Sequence, residues 1–243
     1  MNIYNIITGK IKQKKKQFAV LIDPDKTSKE KLKFIIQKAI SNAVDYFFIG
    51  GSLLTDNNFE ENIIQIKQNC DIPVVIFPGN TLQISNNADA ILFLSLISGR
   101  NPEMLIGKHV IAAPFLKKSK LDIIPTGYML IDSGKPTTAL YMSNSIPIPS
   151  DKADIAMCTA MAGEMLGLKM IYMDAGSGAG RTIPEVMIKK VRNSISLPLI
   201  IGGGIRTAEQ AISCFDSGAD MIVVGNAIEE NNTLIEQISK AII

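Results

Sequence analysis

Eight short apolar runs recur along this chain, and none shows the polar alternation of a half-exposed sheet. They are Phe18–Ile22, Asp45–Ile49, Val74–Phe77, Ala90–Leu94, Gly127–Ile131, Met170–Met173, Leu199–Ile201 and Met221–Val224. Strands that are apolar on both sides must be covered on both sides, as in a parallel sheet flanked by helices. Eight such strands with helices between them close into a (β/α)8 barrel. The 243 residues fit a single domain spanning 1–243, since barrels of this class run to about 250 residues. With 47% hydrophobic residues and no tryptophan, the core is expected to be aliphatic.

The segments between the runs carry helix signals. Thr27-Ser28-Lys29-Glu30 has capping-box spacing ahead of the apolar stripe Leu32, Ile35, Ile36, Ala39 and Ile40. Asp151 can cap a helix that buries Ala153, Ala156, Met157, Ala160 and Met161. Pro184 suits a first helical turn. Thr207–Gln210 and Asn226–Glu229 repeat the capping-box spacing. Two places break the pattern. Pro78–Ala88 holds Gly79 and turn-forming asparagines, so the third helix is expected to be short or missing. Lys135–Ser150 is polar and proline-rich and leaves the C-terminal end of a strand, where a barrel carries its active-site loops.

Composition removes several function classes. A net charge of +2 argues against a nucleic-acid binder. The basic run Lys10–Lys16 reads first as a solvated helix face, and second as an attraction to an anionic membrane surface or substrate. Cys70, Cys158 and Cys214 form no CxxC pair, which fits a reducing cytoplasm without disulfides or zinc. The one histidine, His109, allows no histidine-cluster metal site and reads as structural. The N-terminus has the wrong order for a signal peptide, and no apolar stretch reaches the ~18 residues of a membrane span.

The chemistry of such a barrel sits where strands end. Run seven ends in Gly202-Gly203-Gly204-Ile205-Arg206 and run eight in Gly225-Asn226. Glycine loops backed by helix N-termini cradle phosphate through their N–H groups. Run six ends in Tyr172-Met173-Asp174-Ala175-Gly176-Ser177-Gly178. Asp174 can act as a base or hold a hydroxyl, Tyr172 can bond a phosphate, and Ser177 adds a donor. Run one ends in Asp23-Pro24-Asp25-Lys26, where Asp23 suits a hard cation, Lys26 can reach a phosphate and Asp25 reads as a cap for the next helix. Run two ends in Gly50-Gly51-Ser52, whose hydroxyl can join the same cation or a diphosphate.

These motifs, together with Tyr128-Met129-Leu130-Ile131, occur in an order that resembles the geranylgeranylglyceryl phosphate synthase family, which includes bacterial heptaprenylglyceryl phosphate synthases. The resemblance spans nearly the whole chain. It implies ether-bond formation between sn-glycerol 1-phosphate and a polyprenyl diphosphate, with diphosphate released. It implies Mg²⁺ on Asp23 and Ser52. It implies glycerol phosphate bound by Tyr172, Met173, Asp174, Ala175, Gly176, Ser177 and Gly178, by Gly203 and Gly204, and by Gly225 and Asn226. The Ala-Gly-Ser-Gly-Ala that follows the acid is similar to the family's second group, whose members mostly make the geranylgeranyl product. The family contains dimers and hexamers, which implies a homo-oligomer. One departure is Asp174, where the family more often has Glu.

On this reading Asp174 takes the proton of the glycerol hydroxyl, with Tyr172 beside it, and Phe77, Phe93 and Phe115 are candidates to line the prenyl groove. A lipid substrate also makes contact with a membrane surface an expectation. The competing expectations are another phosphate-handling barrel, such as a sugar-phosphate isomerase or epimerase, and a non-catalytic phosphate-binding barrel.

Overall fold

A computed structural model describes residues 2–56, 58–231 and 233–242. Eight parallel strands close in sequence order, β1 bonding to β8. They are β1 (Gln17–Ile22), β2 (Tyr46–Ile49), β3 (Val74–Ile76), β4 (Ala90–Leu96), β5 (Asp122–Leu130), β6 (Met170–Asp174), β7 (Leu199–Gly202) and β8 (Met221–Val224). Before them comes α1 (Ile3–Lys12), and around them run α2 (Lys29–Ser41), α3 (Phe59–Asn69), α4 (Lys108–Lys118), α5 (Thr138–Ser143), α6 (Ala153–Met165), α7 (Glu185–Arg192), α8 (Ala208–Asp216), α9 (Asn226–Glu230) and α10 (Leu234–Ile242). A π-helical turn, Glu103–Gly107, leads into α4.

Strand alternation divides the core in two. Val20, Ile22, Ile171 and Met173 face outward into the layer beneath the helices. Ala19, Tyr46, Phe48, Met170 and Tyr172 face into the barrel, whose floor Ile3 and Ile7 of α1 plug. The same parity sends Tyr172 and Asp174 inward on β6 and brings Tyr128 of β5 level with Tyr172.

No helix forms between β3 and β4, as the turn-rich Pro78–Ala88 predicts. β5 begins earlier than Gly127 because it pairs with β4 from Asp122 onward. Pro125 obscured that start. Its carbonyl faces β6 and accepts from Lys169, but β6 begins pairing only at Thr126, so the missing N–H breaks no ladder bond.

Three cap expectations shift. Ser28, not Thr27, caps α2, and Thr27 instead bonds Glu229 of α9, which follows the neighbouring strand β8. Lys152 holds the cap position of α6, while Asp151 pairs with its ammonium. Gly225 stands ahead of α9, and Asn226 makes no cap because its side chain is engaged elsewhere. Thr207 caps α8 as expected. The stripe of α2 ends at Ala39, and Ile40 lies exposed.

Candidate active site

A cavity of about 470 Å³ opens at the C-terminal ends of the strands. It brings together Asp23, Lys26, Ser52, Tyr172, Asp174, Gly176, Ser177, Gly178, Gly203, Gly204, Gly225 and Asn226. Met173 and Ala175 stay out. They have the opposite parity on β6 and pack into the outer layer, and the Ala175 N–H is spent on the Gly202 carbonyl.

Asp174 is the centre of the cavity. It is 6% exposed. Its Oδ2 accepts from the Tyr128 hydroxyl at 2.5 Å and its Oδ1 from the Gly176 N–H at 2.8 Å. Burial raises its pKa, and these two hydrogen bonds work against the rise. Burial first, and then the neighbouring Asp174 charge, push the Tyr128 hydroxyl well above its usual value, so it stays a donor. The same two causes, in the same order, act on Tyr172. Tyr172 stacks on Phe77 at 5.1 Å between ring centroids and meets Tyr128 edge-on at 5.6 Å. Tyr128 stood in the Tyr128–Ile131 motif, but sequence reasoning gave it no role in the site. Its strand parity, level with Tyr172, was the available signal.

The glycine loop after β7 lies against Asp174, and the one after β8 lines the same cavity. Gly203 has a φ of +76°, and a Cβ there would come within 2.6 Å of Asp174 Oδ1. A Cβ on Gly202 would collide with the Tyr172 hydroxyl. Glycine is therefore required for the β7 loop to lie against the acid and the tyrosine. Ser177 donates to Asn226 Oδ1 at 3.2 Å and ties the β6 loop to the start of α9. Gly203 and Gly204 after β7, and Gly225 with Asn226 and Ala227 at the start of α9, line one cavity with the β6 loop, a chemistry suited to a phosphate.

Across the mouth, the Asp23 carboxylate pairs with Lys26 at 2.8 Å. Its Oδ1 also accepts from the Asp25 N–H at 3.2 Å and lies beside Gly51, next to Ser52. Asp25 does not cap α2. Its oxygens take the Thr55 N–H and hydroxyl and the Asp56 N–H, fastening the β2–α3 loop. Asp23 is thus the carboxylate left for a cation. Among the described residues no group of three His, Cys, Asp or Glu side chains could hold a metal. A hard cation at Asp23 and Ser52 would complete its shell with substrate oxygens, as magnesium does.

An apolar arm runs from this mouth past the helix-free β3–β4 loop. Phe77, Ile84, Phe93, Leu116 and Met142 line it. Phe115 does not, since it stands on the outer face of α4, 65% exposed. His109 is buried against Phe93 and shares a 3.3 Å hydrogen bond with Ser95. Burial lowers its pKa, so it packs as a neutral ring. The run Lys10–Lys16 lies at the opposite end of the barrel, where Lys10 pairs with Asp45, so it takes no part in the cavity.

Residues 10–242 match the PcrB family. The curated geranylgeranylglyceryl phosphate synthase of Chitinophaga pinensis is 55% identical over 240 residues, covering 99% of this chain and 95% of that protein. The enzyme of the same name from Methanosphaera stadtmanae is 38% identical over 99% of this chain and 98% of its own length. The structure of (S)-3-O-geranylgeranylglyceryl phosphate synthase from Thermoplasma acidophilum, in complex with sn-glycerol-1-phosphate, matches with a TM-score of 0.93 at 33% identity. It covers 100% of this chain and 98% of that one.

Proposed function

Because this chain belongs to the PcrB family, it carries the prenyltransferase activity of the geranylgeranylglyceryl phosphate synthases, and we propose how its mouth performs that reaction on sn-glycerol 1-phosphate and a polyprenyl diphosphate. The observation that carries the reading is Asp174. It is a buried carboxylate held from both sides, with a phosphate cradle next to it and an apolar arm leading away.

The glycerol phosphate places its phosphate on the amides of the Gly203-Gly204 and Gly225-Asn226 loops. Its C3 hydroxyl then faces Asp174. The diphosphate lies towards Asp23, Ser52 and Lys26, and the prenyl tail follows the apolar arm. The C3 oxygen attacks the first prenyl carbon, and a new C–O bond forms as the bond to diphosphate breaks. The bonding electrons leave with the diphosphate, and the hydroxyl proton passes to Asp174. The Tyr128 hydroxyl and the Gly176 N–H fix the carboxylate and favour its ionised form, opposing the rise that burial causes. Asp23 and Ser52 would hold Mg²⁺, which supplies charge neutralisation for the leaving group. Fixing both substrates over one carboxylate supplies a large part of the rate.

The test is an incubation with Mg²⁺, sn-glycerol 1-phosphate and a mixture of farnesyl, geranylgeranyl and heptaprenyl diphosphates, with products identified by mass. A prenylglyceryl phosphate ether is expected, and its mass gives the preferred chain. Folded protein that makes no ether from any of the three would overturn the reading and return the site to sugar phosphates.

A further inference from the structure

The rim of the mouth is apolar where a barrel rim is ordinarily polar. Leu82 of the β3–β4 loop, Tyr141 of α5 and Ile146 of the segment after it are 87%, 83% and 86% exposed. Leu53 and Ile106, on the loops after β2 and β4, are also exposed. All five sit on segments that follow the C-terminal ends of strands, so they face the same way as the cavity entrance. Leu53 lines the cavity itself, as do Thr81 beside Leu82 and Met142 beside Tyr141. Single exposed apolar residues are ordinary, but a ring of them on one face marks an interaction surface.

Cations share that rim. Arg100, Lys135 and Arg181 are exposed on the loops after β4, β5 and β6. Among the described residues none of the three makes an ion pair. At the opposite end Lys10 and Lys67 are tied to Asp45 and Asp89, whereas among the described residues Lys12, Lys14, Lys15 and Lys16 make no ion pair, so charge alone does not choose the face and the entrance to the apolar arm does. Apolar side chains that can enter an acyl boundary, a tyrosine among them, interspersed with free cations fit an anionic bilayer surface. Among the described residues no helix is long and apolar enough to cross a membrane, so the contact is peripheral.

We infer that the barrel docks mouth-down on anionic phospholipid, through Leu82, Tyr141 and Ile146 with Arg100, Lys135 and Arg181. In this pose the apolar arm opens onto the leaflet, and a prenyl tail passes from lipid to protein without crossing water. The inference rests on the proposed prenyl substrate for its purpose, but the docking itself needs no substrate.

The experiment is flotation of the full chain with vesicles of phosphatidylcholine alone and of phosphatidylcholine with phosphatidylglycerol, without substrate. Binding to the anionic vesicles that weakens with salt is expected. Replacing the three cations by Gln should weaken it roughly fivefold for each one removed. The triple variant L82S/Y141S/I146S should also lose binding, and it should keep wild-type turnover of prenyl diphosphate presented in detergent micelles. No flotation on either vesicle would overturn the inference while leaving the prenyl transfer untouched. Sedimentation as a smaller species than wild type by the triple variant would also overturn it, because a second copy of the chain would then cover this face.

Discussion

The two ends of this barrel use aspartate in opposite ways. At the floor, Asp45 accepts from the Phe18 N–H at the start of β1 and from Lys10. Asp89 does the same for the Val74 N–H at the start of β3 and Lys67. Asp220 does it for the Leu199 N–H at the start of β7 and Arg192. In each case a carboxylate just before an even strand satisfies an amide at the start of the odd strand before it, and a cation completes it. At the mouth, Asp174 has no cation paired to it and is buried. Asp23 has only a lysine that is itself half exposed. Carboxylates at the floor are satisfied by an amide and a cation of the fold, while at the mouth Asp25 is spent on the β2–α3 loop and Asp174 and Asp23 keep open capacity for a ligand. This is the division between stability and catalysis that the fold imposes on its two faces.

The contrast breaks most sharply at Asp174. Asp174→Asn should lower kcat/KM by about 10²–10⁴-fold, the range for a lost general base. It should not lower the melting temperature. The raised pKa means the folded chain holds this proton more tightly than the unfolded one. The fold therefore loses stability as pH rises through the raised value, and the ionised form is a cost that Asn removes. A variant that melts lower with unchanged turnover would make Asp174 a structural residue. Next, Asp23→Asn should abolish the dependence of the rate on added Mg²⁺ at the concentrations that saturate wild type. An unchanged metal titration would move the cation elsewhere.

The floor should answer in the opposite sense. Asp89→Ala leaves the Val74 N–H and the Lys67 ammonium without their acceptor and should destabilise by about 2 kcal/mol. That corresponds to roughly 4–8 °C in Tm for a chain of this size, with kcat unchanged. The smallest effect belongs to Lys10→Gln. It removes a partly exposed ion pair worth under about 1 kcal/mol while the Asp45–Phe18 bond stays. Equal losses in the two variants would mean that the ion pair, rather than the amide, sets the worth of these aspartates.

Much of this division was legible in the sequence. Uninterrupted apolar runs announce strands covered on both faces, and their spacing fixes the barrel and the absent third helix. The glycines after β7 and the acid after β6 mark the mouth through position alone. What escaped depends on contacts between distant strands. Tyr128 heads the Tyr128–Ile131 motif but has no role to read until β5 and β6 are in register. Asp25 looks like a cap until Thr55 arrives from the next loop. Asn226 has the spacing of a capping box, but Ser177 claims its side chain. Met173 and Ala175 carried the family motif, yet strand parity turns both away from the cavity. Phe115 lies on a helix that is apolar on both sides, so its direction could not be read from periodicity.

The account turns on Asp174 as the proton acceptor and on Tyr128 as the group that opposes the rise in its pKa. The pH dependence of kcat/KM for wild type and Tyr128→Phe tests both. Removing the Tyr128 hydroxyl takes away the larger of the two hydrogen-bond effects holding the Asp174 pKa down against burial, so the acidic limb of the profile should move to higher pH while the plateau falls less than in Asp174→Asn. Superimposable acidic limbs would contradict the account, because the titrating base would then be a group that Tyr128 does not touch.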